Sequence, residues 1–321
     1  MKPRLPRPFL LIIATTLLFL VQLLHFLDVL NITPGTPLGG VTLLARANIT
    51  PLAWLCYVVA LCGLLTVLDR RSWLSRYRNR FTVLWLWSVP AWCYFDWQNF
   101  YFLRDPRTGL RAWEYINMPP NFDDRLLGYL IAFGAIAPGM FLTAEVLMRL
   151  GFARLLAPQM NLSARNKKIA VAAVFALGLL LTPIPILVGT AASNLAIWVG
   201  TWALLDPINL LCGRPSILRD WSDGRWGRTL ALGAGGLFCG FLWEFWNFWA
   251  GTKWVYHLPF LGSWEHYRYF EMPLPGLLGF IAFGIETWTM WQTALLILSP
   301  FVEGERRATP GDAAVATYGC F

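Results

Sequence analysis

Apolar residues come in long unbroken runs along this chain, not in one-sided helical stripes, and short basic or aromatic segments separate the runs. Crossing a bilayer takes about 20 mostly apolar residues. Eight stretches qualify, at 9–27, 51–68, 81–97, 126–148, 169–187, 190–205, 229–249 and 273–301. The pattern predicts an all-α polytopic membrane helix bundle with about eight transmembrane helices. The first run follows Met1-Lys2-Pro3-Arg4, as a signal peptide would. Its apolar part is too long for that role and no small-residue cleavage site follows, so an uncleaved helix is expected. The fifth and sixth runs divide at Pro183, Pro185 and Gly189, because proline removes a backbone donor and breaks the helix.

Composition narrows the class further. Charged residues are 14% of the chain and hydrophobic residues 57%, against about 25% charged in soluble domains. That balance speaks against a water-soluble enzyme, a disordered chain and a nucleic-acid binder, despite a net charge of +8. The positive residues lie between the runs, where they report orientation. With the N-terminus placed inside, 19 of the 26 Lys and Arg fall in inside segments. The expected location is therefore a bacterial inner (cytoplasmic) membrane, multi-pass, with both termini cytoplasmic. Thr50 and Pro51 read as a helix cap and a first-turn proline.

The chain also answers itself. Asp96-Trp97-Gln98-Asn99-Phe100 resembles Glu244-Phe245-Trp246-Asn247-Phe248, both acid-x-x-Asn-Phe at the outer end of a run. Tyr115-Ile116-Asn117-Met118-Pro119 resembles Tyr269-Phe270-Glu271-Met272-Pro273, and Leu126-Leu127-Gly128-Tyr129 resembles Leu277-Leu278-Gly279-Phe280. The order is preserved, which predicts a 4+4 parallel internal duplication: a half at 1–168, a half at 169–301 and a short flexible cytoplasmic tail at 302–321. Such halves are related by an axis along the membrane normal.

Acids inside apolar runs are the candidate chemistry, since each is costly there and marks a functional site by default. Glu244, Glu271 and Asp96 are the candidate catalytic groups, Glu244 as acid and Glu271 or Asp96 as base. Asn247 and Asn99 lie three residues beyond Glu244 and Asp96, on the same helical face, and would orient them. Trp243, Trp246, Trp254, Tyr256 and His257 are candidate substrate contacts, with Glu286 deeper in the last run; aromatic faces stabilise positive charge. The same tryptophans would also serve as an interfacial belt. In Glu271-Met272-Pro273, a first-turn proline with an acid complementing the helix dipole is the structural alternative. Six scattered Cys form no C-x-x-C pair, and His257 and His266 match no ligand spacing, so neither metal nor cofactor is expected.

Residues 206–288 carry Asp206-Pro207-Ile208-Asn209, Trp243-Glu244-Phe245-Trp246-Asn247-Phe248-Trp249, Lys253-Trp254-Val255-Tyr256 and Phe270-Glu271-Met272-Pro273-Leu274. This run resembles an uncharacterised family of bacterial polytopic membrane proteins, which implies a membrane bundle and no particular activity. A likeness at fold level to membrane-embedded lycopene cyclases, also duplicated, comes without their Pro-x-Glu-Glu pattern. The expected partners are the lipid bilayer and a lipid or isoprenoid ligand, with no nucleic acid; the oligomeric state is left open. Three functions fit: an enzyme using carboxylate acid/base chemistry on a lipid or isoprenoid, a transporter or lipid-handling protein, and a structural or assembly subunit.

Overall fold

A computed structural model describes residues 8–70, 72–158, 163–302 and 320–321. Among them, eleven α-helices and two small antiparallel sheets form the fold. The helices are α1 (Phe9–Val29), α2 (Gly39–Ala47), α3 (Ile49–Asp69), α4 (Trp73–Tyr101), α5 (Phe122–Arg149), α6 (Ala164–Leu181), α7 (Ile184–Val188), α8 (Asn194–Leu211), α9 (Ile217–Ser222), α10 (Gly227–Phe248) and α11 (Leu277–Val302). Strands β1 (Trp113–Ile116) and β2 (Lys253–Tyr256) pair with each other, as do β3 (Arg268–Tyr269) and β4 (Met272–Pro273).

Six of these helical segments are long and apolar enough to cross a membrane: α1, α3, α5, α6 with α7, α10, and α11 with the turn before it. The protein thus has the architecture of a helical membrane protein. Helices also occupy the stretches of the third and sixth expected runs, as α4 and α8. The outward surfaces are apolar, as Leu187, Leu211 and Ile297 illustrate. The break at Pro183 falls where the prolines require it, and Gly189 takes a left-handed φ of 65° to end α7. Most of the expected tail, 303–319, lies outside the described residues, as do Met1 to Arg7.

Two local expectations are corrected. Helix α3 begins at Ile49, with Asn48 in the cap position, and the Thr50 hydroxyl caps nothing. Pro51 remains in the first turn, where its missing N–H costs nothing. Pro273 does not open α11. It closes β4, and a 3-10 turn at Leu274–Gly276 intervenes. Glu271 is therefore not an N-terminal acid of that helix.

The packing order places the site. Helix α1 lies on α3 and α3 on α5, while α6 lies on α8 and α8 on α11. In the centre α4 packs on α5, α10 on α11, α5 on α10 and α4 on α11. Inside lipid, helix association relies on close packing, since the surrounding tails are as apolar as the side chains. The α10–α11 contact shows this. A Cβ on Gly236 would sit 2.2 Å from the Phe280 carbonyl oxygen, and one on Gly284 2.3 Å from that of Leu232. Both obstacles are backbone, so Gly236→Ala must separate the helices. It is expected to cost about 1–3 kcal/mol, read as a lowered thermal midpoint of the purified protein. An unchanged midpoint would show that the two backbones do not depend on this close approach.

Helix α5 is opened by one side chain beside the centre. The Ser88 hydroxyl of α4 donates to the Phe133 carbonyl at 2.5 Å and accepts from the Ala137 N–H at 3.1 Å. A side chain inserted into a helix ladder, one residue before Pro138, is a sufficient cause of a kink. Phe133 and Ile136, both in this turn, line the central cavity.

At the opposite end of the bundle from β1 and β2, Arg149 holds two acids. It bonds Asp69 at 2.6 and 2.9 Å and also pairs with Glu145.

Candidate functional site

The site grows from two helix ends and the ribbon between them. On α4, the Asn99 amide donates to the Trp113 carbonyl at 2.8 Å and its oxygen accepts the Trp113 N–H at 3.2 Å. On α10, Asn247 does the same to Trp254, at 2.8 and 2.9 Å. An asparagine amide presents a donor and an acceptor side by side, so it completes an unpaired residue of extended backbone. Each Asn thus ties the strand that follows to the helix that carries the acid.

Strands β1 and β2 then pair antiparallel, with Trp113 opposite Tyr256 and Tyr115 opposite Trp254. Alternate residues of a strand share a face. The Trp-x-Tyr sequence, present in both strands, therefore puts four aromatic side chains on one side of the ribbon. That side roofs a cavity of about 470 Å³. The volume lies within the usual range of about 300–1,000 Å³ for small-molecule sites. Its walls are Trp92 of α4, Phe133 of α5, Trp198 of α8, Trp243 of α10, and Phe280 and Phe283 of α11. Among the described residues, no charged side chain lines it.

The acids stand one layer behind that wall. Asp96 accepts from the Trp113 indole at 3.0 Å and from the Tyr115 hydroxyl at 3.0 and 3.1 Å. Glu244 is fully buried, against the side chains of Tyr256 and Trp254 and the main chain of Glu271. Its oxygens lie within reach of the Tyr256 hydroxyl, the Trp254 indole and the Glu271 N–H, but unlike those of Asp96 these contacts fall short of closed hydrogen-bond geometry. The Trp254 indole bonds the Tyr256 hydroxyl at 2.9 Å instead. Burial first, and then the neighbouring carboxyl, push the phenols of Tyr115 and Tyr256 well above their ordinary range. Both therefore remain hydroxyl donors at the cavity wall.

The expected residues separate into groups. Trp243, Trp254 and Tyr256 line the cavity. Glu244 and Asp96 back onto it, and Asn247 and Asn99 hold its roof. The candidate acid and bases, Glu244, Glu271 and Asp96, do not themselves line the cavity: tyrosine and tryptophan are interposed, because the ribbon turns its aromatic face inward. Glu271 neighbours Glu244 but bonds the Lys253 ammonium at 2.6 Å, outside the wall. Trp246 does not line the cavity; its ring packs behind Trp54, which does, at 5.2 Å, and lies 6.1 Å from Tyr57, both of α3. His257 lies past the ribbon end, tied through its main chain to Ala112 at 2.9 Å. Glu286 is buried apart from the cavity, beside Thr201 and Tyr94. Among the described residues, no group of three or more His, Cys, Asp or Glu is placed to hold a metal ion.

Sequence reasoning missed Trp92, Trp113, Tyr115, Trp198, Phe280 and Phe283. For the ribbon there was a legible signal, the twice-used Trp-x-Tyr downstream of each acid-x-x-Asn. By environment the counterpart of Tyr115 is Tyr256, not Tyr269, whose hydroxyl reaches the Phe241 carbonyl at 3.5 Å. Comparison with known families, with curated proteins and with solved structures finds no match for this chain.

Proposed function

We propose that this is a multi-pass protein of the bacterial inner membrane, with eight spans and both termini cytoplasmic, that binds a lipid or isoprenoid in the aromatic cavity and acts on it by proton transfer. The observation that carries the reading is the junction at Tyr256: an uncharged, aromatic-walled cavity on one side, a buried carboxyl without a closed hydrogen bond on the other. Glu244 gives its proton to the Tyr256 hydroxyl as that hydroxyl protonates a double bond of the ligand. The tryptophan faces hold the resulting cation. Loss of a proton from the adjacent carbon to Tyr256, and thence to Glu244, completes a double-bond shift or ring closure. Atoms and electrons balance without an oxidant. The uncharged wall favours this over transport of an ion or polar solute.

The same reading includes the duplication. Helices α1, α3, α4 and α5 correspond in packing to α6, α8, α10 and α11. The set Asp96, Asn99, Trp113 and Tyr115 corresponds in contacts to Glu244, Asn247, Trp254 and Tyr256. The two sets meet across an antiparallel strand pair, which has local two-fold symmetry. The halves differ at their acids: Asp96 accepts three closed hydrogen bonds and Glu244 accepts none. The second half is thus assigned the proton chemistry, and Asp96 a positioning role.

Solvent extraction of the protein purified in mild detergent, followed by mass spectrometry, tests the binding claim. An apolar lipid near one equivalent is expected with the wild type. Ala132→Trp, which adds an indole to the wall from α5, should lower that occupancy at least several-fold while leaving helicity and a monodisperse elution intact. Equal occupancy in both proteins would place the lipid elsewhere.

A further inference from the structure

We propose that the cavity is loaded sideways, through a gap between α8 and α11, and that its ligand is one elongated apolar chain whose other end lies in a second hollow alongside α8. This rests on reading the cavity as a lipid site. Leu195 and Val199 of α8, with Leu278, Gly279 and Ala282 of α11, all line the cavity. Yet Leu195 is 60% exposed, Leu278 67% and Val199 39%. Residues that touch both the interior and the outer surface mark an opening. This one lies between helices and is rimmed by aliphatic side chains. In a bilayer it faces hydrocarbon, the medium from which an apolar chain partitions and a charged solute does not.

A second hollow of about 410 Å³ begins where the first ends. Leu181, Ile184, Val188 and Ala196 contribute to it, and Leu195 and Val199 line both. Residues four apart share a helix face, so this pair forms a ridge with a hollow on each side. Polar side chains in the second hollow include Thr190 and Ser193, whose hydroxyls bond each other at 3.1 Å. They offer no anchor for a charged headgroup. A compact ligand would use the first hollow alone, whereas a chain draped over the ridge fills both.

Gly279 gives the means to close the gap. A Cβ there would meet only the Trp198 indole nitrogen, at 4.0 Å, so the backbone tolerates a side chain. The probes are two tritiated farnesol analogues with a photoactivatable diazirine, one at the hydrocarbon end and one beside the hydroxyl. They are added to the full-length protein in phosphatidylglycerol–phosphatidylethanolamine nanodiscs, and labelled peptides are sequenced. In the wild type one probe should label the peptide holding Trp243 or Phe283, and the other residues 181–188. Gly279→Trp should cut cavity labelling at least tenfold and keep labelling in the second hollow. Leu195→Trp, at an exposed position that does not threaten folding, should lower both. If the wild-type cavity takes no label, the lipid site and the gap fall together. Undiminished cavity labelling in both variants overturns the gap alone. Labels from both probes confined to the cavity overturn the elongated chain.

Discussion

Glu244→Gln is expected to leave the bundle folded and the cavity occupied while lowering conversion of the bound lipid about 10²- to 10⁴-fold, the range for removal of a general acid–base group. Glutamine keeps the shape and hydrogen-bonding reach of the side chain but carries no proton to exchange with Tyr256. The variant should therefore purify with unconverted substrate, identified by mass spectrometry beside the wild-type extract. Glu244→Ala removes volume from a fully buried position as well, so it should lose stability in addition to turnover. Asp96→Asn provides the contrast. Asp96 accepts three hydrogen bonds from Trp113 and Tyr115, and an amide can accept only part of that set. Its loss should show mainly in the thermal midpoint, with a smaller change in turnover. Conversion preserved in Glu244→Gln would remove the proton chemistry and leave a binding protein.

The membrane architecture was legible because its cause is one-dimensional. A run such as Phe9 to Val29 cannot be soluble in any arrangement, and Pro183 and Pro185 interrupt a helix whatever surrounds them. The acid-x-x-Asn pairs were legible for a similar reason, since three residues fix a shared helical face. What the asparagines do was not legible. Asn99 reaches 14 residues ahead to Trp113 and Asn247 only seven to Trp254, and the unequal loops hid the common strand. The alignment therefore matched Tyr115 with Tyr269, through the similar Met-Pro that follows each. The cavity walls were hidden more deeply. Trp92, Trp198 and Phe283 look like any aromatic residue in an apolar run, and only the approach of α4, α8 and α11 turns them toward one space. Ring contacts of 5.5 Å between Phe95 and Trp198 and 5.4 Å between Trp198 and Phe283 arise from that approach, and no spacing within one helix encodes them.

The same asymmetry between acid and amide makes the asparagines the strongest test of the roof. Asn247→Ala strands the N–H and carbonyl of Trp254, both otherwise paired with that one side chain. A fully buried backbone group left without a partner costs about 1–3 kcal/mol; these two are partly buried, so the variant should lose about 1–3 kcal/mol of stability in all on that principle. The expected path of failure is local. Strand β2 detaches from α10, Trp254 and Tyr256 leave the wall, and lipid occupancy falls before the helices separate. Hydrogen exchange should report this order, with early exchange confined to residues 113–116 and 253–256 while α5, α10 and α11 stay protected. Asn99→Ala should produce the same pattern from the other strand, because β1 and β2 hold each other in register. Asn247→Asp separates the two bonds. At this fully buried position the carboxylate would accept the Trp254 N–H but set its other oxygen against the Trp254 carbonyl with no proton to donate, and an unpaired buried charge is costly, so its loss should be at least that of the alanine variant. If Asn247→Ala keeps its bound lipid and shows uniform exchange across the helices, the ribbon is an ornament on the bundle, and the junction between Tyr256 and Glu244 is held by something other than this clamp.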